Sequence, residues 1–324
     1  MGQNGITFAW TIDGKGSGTR IQNENIAEEI RNVGLAWVHI NDSDFEAREW
    51  IEREISYLDR IILDALLAEE THPRHIDYQD GMLLILRGVN LNPDQEPEDM
   101  VSLRIWIDSH RIITVERRKV RTVREIDERL EEHTGPKNVG DFLSMLTGHL
   151  FDHVDDAITR LHDQLDTLED KLQDNPDSVS QREVSSLRRQ AMTFHRYISP
   201  QRDVLNHLRF SDRAWLSQIH KRVFLEHWDK VNRTIESLDF LRDRALIVYD
   251  ELTSLNNTKT NKNLYLLSGI TTIFMPLGFI TGLLGMNVMD IPGENEPHAF
   301  LYITIGTIAL GLMMASVFKW LKWF

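Results

Sequence analysis

Leu264–Met286, LYLLSGITTIFMPLGFITGLLGM, and Phe300–Trp320, FLYITIGTIALGLMMASVFKW, close this chain, and Gly285-Met286-Asn287-Val288-Met289-Asp290-Ile291-Pro292-Gly293 lies between them. From Leu264 to Met286, and again from Phe300 to Phe318, there is no Asp, Glu, Lys, Arg or His. Each run matches the roughly 20 residues a helix needs to cross a bilayer core. Lys259 and Lys262 precede the first run, and Lys319 and Lys322 follow the second. The positive-inside rule then places both basic flanks in the cytoplasm and the connector outside. A buried hairpin of a soluble protein would also be apolar, but spans this long usually carry some charge.

Composition fits a soluble domain followed by a membrane part. The chain has 324 residues and no cysteine, which excludes disulfides, zinc–thiolate sites and cysteine nucleophiles. The first thirty residues lack a basic-then-apolar leader, so both termini are expected in the cytoplasm. A net charge of −14 argues against nucleic-acid partners and is compatible with attracting cations. No phosphate loop, Gly-x-Ser-x-Gly elbow or His-Glu-x-x-His occurs, so nothing points to an enzyme, a bound cofactor or an ATP-driven pump.

The fold class expected is α+β. Residues 1–140 read as a mixed α/β domain, with β-rich runs at Ile6–Ile12, Leu35–Ile40, Met82–Leu91, Leu103–Ile107 and Ile112–Val115. Asp80-Gly81 reads as a hairpin turn, and helices are expected around Asp44–Leu67 and Val120–Leu130. Residues 141–210 read as a helical hairpin, broken at Asn175-Pro176 and at Ser199-Pro200. A stalk helix is expected over 211–262, starting at Ser211-Asp212. Its stripe of Leu238, Leu241, Ala245, Val248, Leu252 and Leu255 leads into a first membrane helix over 263–286. The loop 287–299 and a second membrane helix with a short tail, 300–324, complete the chain. Unbroken, the stalk and first span would make a helix on the order of 110 Å long. Such a helix needs neighbours, which copies of the same chain would supply.

On the first span, Leu264, Leu267, Thr271, Met275, Gly278, Gly282 and Gly285 recur every three or four residues and give one small or unbranched face. Ile270, Ile273, Phe274, Leu277 and Ile280 lie opposite. Small faces serve simple helix packing as well as pores, and Asn287 by itself reads more readily as a helix C-cap than as part of an ion site.

The wider motif changes that balance. Phe274-Met275-Pro276-Leu277-Gly278 followed by Gly285-Met286-Asn287 resembles the pore helix of the CorA-type divalent-cation transporters. Ile291-Pro292-Gly293, the stretch Leu84–Pro93 and the stretch Glu96–Arg104 are similar to the ZntB branch of zinc transporters. The resemblance covers nearly the whole chain, although Gly-Met-Asn is the form typical of the magnesium-transporting members.

The resemblance implies an inner-membrane homopentamer in the lipid bilayer, with a cytoplasmic funnel and one pore-lining helix per subunit. Gly285, Met286 and Asn287 would form the pore entrance, where neutral oxygens hold a hydrated cation. Asn261, Leu264, Leu267, Thr271, Met275, Gly278 and Gly282 would line the pore. Asp290, Glu294 and Glu296 would place about fifteen negative charges at the mouth of a pentamer. The cargo implied is a divalent cation, zinc first. Magnesium, cobalt or nickel conduction, or a non-conducting membrane-anchored metal sensor, are the alternatives. Among thirteen histidines, His149 with His153, spaced i, i+4, and His220 with His227, spaced i, i+7, are the weak metal-ligand candidates.

Overall fold

The computed structural model describes residues 5–22, 26–30, 34–43, 45–55, 57–69, 71–286 and 297–320. They form two compact units, one up to Tyr249 and one from Asp250 onward. The entrance residue Asn287 and the loop acids Asp290, Glu294 and Glu296 lie outside the described residues.

The first unit is built on a seven-stranded sheet. Its strands are β1 (Ile6–Ile12), β2 (Gly18–Arg20), β3 (Leu35–Asn41), β4 (Arg74–Tyr78), β5 (Gly81–Gly88), β6 (Val101–Ile107) and β7 (Arg111–Glu116), in the order β2-β1-β3-β7-β6-β5-β4. Only β3 and β7 pair in parallel; the other neighbours are antiparallel. Apolar side chains cover both faces, which is why β5 and β6 read as nearly continuous hydrophobic runs instead of alternating ones. One face packs Val38, Ile40, Leu83, Ile113 and Val115 against the short helices α1 (Ile26–Glu29), α2 (Phe45–Glu54) and α3 (Arg60–Leu66). On the other face Trp37 meets Phe8 and Phe142 edge-on, each at 4.9 Å. That face is covered by α4 (Arg121–Glu131), α5 (Val139–Asp174) and α6 (Gln181–Phe210).

Three local expectations are corrected. The helix foreseen over Asp44–Leu67 is two helices, because Asp59 caps α3 by accepting from the Ile61 N–H at 2.7 Å. The β4–β5 turn is Gln79-Asp80, with Gln79 left-handed at φ 49°. Gly81 already pairs with Tyr78 in the ladder, and it is glycine because a Cβ there would collide with the Trp106 ring. The third concerns proline. Helix α6 runs through Pro200, although a mid-helix proline costs ~3 kcal/mol. Phe194, Ile198, Val204, Leu205 and Leu208 are buried on both sides of it, and buried Gln201 accepts from the Arg87 N–H at 3.0 Å. Ser211 is accordingly the C-cap of α6, and the stalk helix α7 starts at Gln218.

A buried polar group sits where β3 and β7 pair. Thr114 Oγ1 donates to Val38 O at 3.3 Å, so it accepts from Trp37 Nε1–H and His39 Nδ1, each at 2.9 Å. His39 Nε2 lies 3.1 Å from Glu116 Oε1. Glu116 also accepts from the Val120 N–H at 2.8 Å and from Arg124 at 2.7 Å, which ties the start of α4 to the sheet. Burial alone would raise the Glu116 carboxyl. Contact with His39, the charge of Arg124 and the Val120 N–H reverse that and hold it below its ordinary value.

Helix α7 spans Gln218–Leu284, 67 residues, and helix α8 spans Ala299–Trp320. Both contain a stretch long and apolar enough to cross a membrane.

Candidate ion pathway and its anchor

The lower part of α7 is fixed to α5 by a ladder of polar contacts. His220 Nε2 meets Asp141 Oδ1 at 2.9 Å, and His227 Nδ1 meets Thr147 Oγ1 at 2.9 Å. Lys230 donates to Asp152 at 2.7 Å and lies 3.0 Å from Asp155. His162 meets Ser237 at 2.7 Å, and Arg244 donates to Asp166 at 2.7 Å and to Glu169 at 3.2 Å. The sequence offset stays between 75 and 80 along these rungs, so the two helices run parallel and in constant register.

Two of the histidine candidates lie on this ladder: His220 and His227 each meet their own partner on α5. A Cβ on Gly140 would collide with the His220 ring, so Gly140→Ala should destabilise the first unit by about 1–3 kcal/mol in a denaturant titration. His227 is pushed down to about 4 by its burial. Its folded value lies below the unfolded one, so its contribution is intact above about pH 6.5 and declines as pH falls toward 4. At pH 5 the loss is at most about 2 kcal/mol. His227→Gln should therefore flatten the fall in melting temperature between pH 7.5 and 5.

The upper part of α7 belongs to the second unit. Ile273, Leu277 and Ile280 are half-buried, and a Cβ on Gly311 of α8 would stand 3.4 Å from Leu277, so this face meets α8. Ile270 and Phe274, expected on the same face, remain exposed. Among the described residues, no other element covers the small or unbranched face from Leu264 to Gly282. Leu264, Leu267 and Met275 are 55%, 60% and 68% exposed, and nothing lies within 4 Å of a Cβ at Gly278 or Gly282. Asn261, Gly285 and Met286 are exposed as well. Thr271 is exposed too, with its hydroxyl donating back to Leu267 O at 2.9 Å. Near the end of α7 a cavity of about 410 Å³ opens between the helices, lined by Thr281, Leu284, Gly285, Phe300, Thr304 and Thr307 among others.

The remaining pair, His149 and His153, is brought to one place. Both side chains face Glu125 of α4, a residue that no motif or spacing singles out. Burial lowers the His149 imidazole, and the charge of Arg129 adds to that, against the opposing pull of Glu125 and Asp152.

Comparison with known proteins agrees with this architecture. The family described as "CorA-like Mg2+ transporter protein" matches residues 32–320. The divalent cation transporter CmaX of Pseudomonas aeruginosa is 33% identical over 324 residues, covering 99% of this chain and 97% of that protein. The zinc transport protein ZntB of Yersinia pseudotuberculosis is 31% identical over 316 residues, covering 97% and 94%. The solved structure of full-length CmaX superposes with a TM-score of 0.85 at 32% identity, over 100% of this chain and 99% of that one. A family match across most of the chain, with relatives above 30% identity over its full length, fixes the assignment: this chain is a member of the CorA family of divalent-cation transporters.

Proposed function

We propose that the protein carries divalent cations, zinc foremost, across the inner membrane through a pore on the axis of a homopentamer. The observation that carries this reading is the bare face of α7. Leu264, Leu267, Met275, Gly278 and Gly282 form an exposed apolar or small stripe on a helix that the second unit's own α8 covers only on its other side. A ring of such helices gives each stripe a lumen and gives the flanks neighbours. In that ring Asn287 holds the hydrated ion at the entrance, and Asp290, Glu294 and Glu296 concentrate cations outside it. Leu267 and Met275 form narrow hydrophobic rings that gate by dewetting, with the Thr271 ring between them. The inward drive comes from the membrane potential, about 4.6 kcal/mol for a divalent ion per 100 mV. Zinc is preferred as cargo because a relative of 31% identity over nearly the full length is a zinc transport protein. The family description and the Gly-Met-Asn triplet favour magnesium as the second reading.

The chain has no native cysteine, so single-cysteine variants give a clean test. Met275→Cys and Leu267→Cys should conduct and then be blocked by a charged thiol reagent, while Leu277→Cys should be insensitive. Equal sensitivity at all three positions would remove α7 from the pore wall.

A further inference from the structure

We infer that an aspartate stripe on α5 and an arginine stripe on α6 form a charge-paired seam between neighbouring copies of this chain. The seam rests on the ring proposed above and names a contact that closes it. Helix α6 carries six arginines against Glu183 and Asp203, with no carboxylate between those two. In a chain of net charge −14 that is a local reversal of sign. Arg182, Arg189 and Arg196 recur every seven residues, about two helical turns, and so share one face. All three are exposed, opposite the buried Val184, Leu187, Ala191 and Phe194. Helix α5 has the opposite sign, with nine carboxylates against Arg160 and Lys171. Asp156, Asp163 and Asp170 also recur every seven residues, exposed opposite the buried Ile158, Leu161, Leu165 and Leu168. Arg160 is the one Arg or Lys among them.

These charges are not used inside the subunit. The α5 acids that pair with α7 are Asp152, Asp155, Asp166 and Glu169. Among the described residues, the six stripe side chains pair with no opposite charge, and Arg196 rests over the Tyr197 ring. The heights of the two stripes also agree. A cavity between the helices is lined by residues 164–171 of α5 and 183–190 of α6, so these antiparallel segments lie side by side. On that register Asp156 is level with Arg196, Asp163 with Arg189 and Asp170 with Arg182, each to roughly 3 Å along the axis. Both stripes point away from the buried core, so they do not meet within one copy. Helix α5 runs parallel to the lower part of α7, and rotation about an axis along α7 leaves every height unchanged. With α7 inside the ring, α5 of one copy comes beside α6 of the next, and three Asp–Arg pairs face each other. Exposed ion pairs contribute little one at a time. Repeated at every seam, they select which faces meet and make that choice sensitive to salt.

The test uses the full-length chain in detergent, which has no native cysteine. A double variant, Asp163→Cys with Arg189→Cys, treated with a short bis-maleimide should give a ladder of linked chains on a denaturing gel. Each single variant should run as one chain. Reversing one stripe with Arg182→Glu, Arg189→Glu and Arg196→Glu should speed subunit exchange between differently labelled assemblies at least tenfold at low salt. Adding Asp156→Lys, Asp163→Lys and Asp170→Lys to that variant should restore the parent rate. All six positions are exposed, so the far-ultraviolet spectrum should not change. An assembly of parent size with no ladder, and with exchange indifferent to the reversal, would overturn the seam and leave the ring standing. A monomeric parent chain would overturn the ring and the seam with it.

Discussion

Asn287→Ala is expected to reduce zinc flux into proteoliposomes more than a hundredfold while leaving assembly intact. The size follows from symmetry. In the proposed pentamer five copies lose their side-chain carbonyl at once, and even ~1 kcal/mol per lost hydrogen bond to the hydrated ion sums to about 5 kcal/mol. Gel filtration should give the same elution volume for variant and parent, because an amide side chain offers little apolar surface to bury. Asn287→Gln, which keeps the oxygen but moves it by one methylene, should recover part of the flux. Wild-type flux in Asn287→Ala would mean that the entrance is built from other groups.

The largest effect on folding is expected at Glu116. Its carboxylate sits fully buried among His39, Arg124 and the Val120 N–H, at 3.1, 2.7 and 2.8 Å. Removing one member of a buried charged set leaves the others unpaired in a low-dielectric interior, which costs about 3–5 kcal/mol. Glu116→Ala should therefore lower the stability of the first unit by that amount in a denaturant titration and reduce yield. Glu116→Gln should cost less, because it still accepts from Val120 and Arg124. Replacing His39 and Glu116 together by apolar residues should recover much of the loss. Additive losses in that double variant would show that the two side chains act separately.

How much of this was legible in the chain depended on the range of the interaction. The strand at Ile6–Ile12 and the end of α5 at Asn175-Pro176 were readable because apolar patterning and proline act within a few residues. The continuity of α7 was readable for the same reason, as no proline falls between Pro200 and Pro276. Pro200 misled because its local penalty is outweighed by the buried side chains around it, which the neighbouring sequence does not announce. The turn at Gln79-Asp80 was misplaced by one residue because Gly81 is required by the distant Trp106 and not by the turn. The α5–α7 ladder and the meeting of Glu125 with His149 and His153 were not readable. They join residues up to 80 positions apart, between helices whose packing only the fold decides. Of the candidate pore, sequence spacing proposed a face of α7, and among the described residues α8 does not cover that face from Leu264 to Gly282. The entrance and mouth, Asn287, Asp290, Glu294 and Glu296, rest on sequence and resemblance.

The most direct measurement is divalent-metal uptake by proteoliposomes carrying the purified protein, with zinc and magnesium compared at equal concentration under an inside-negative potential. Saturable zinc uptake that exceeds magnesium uptake and collapses in Asn287→Ala is the predicted result. Magnesium uptake without zinc would move the cargo to the second reading. No uptake of either ion by a verified pentamer would contradict the account, and leave a membrane-anchored metal sensor in its place.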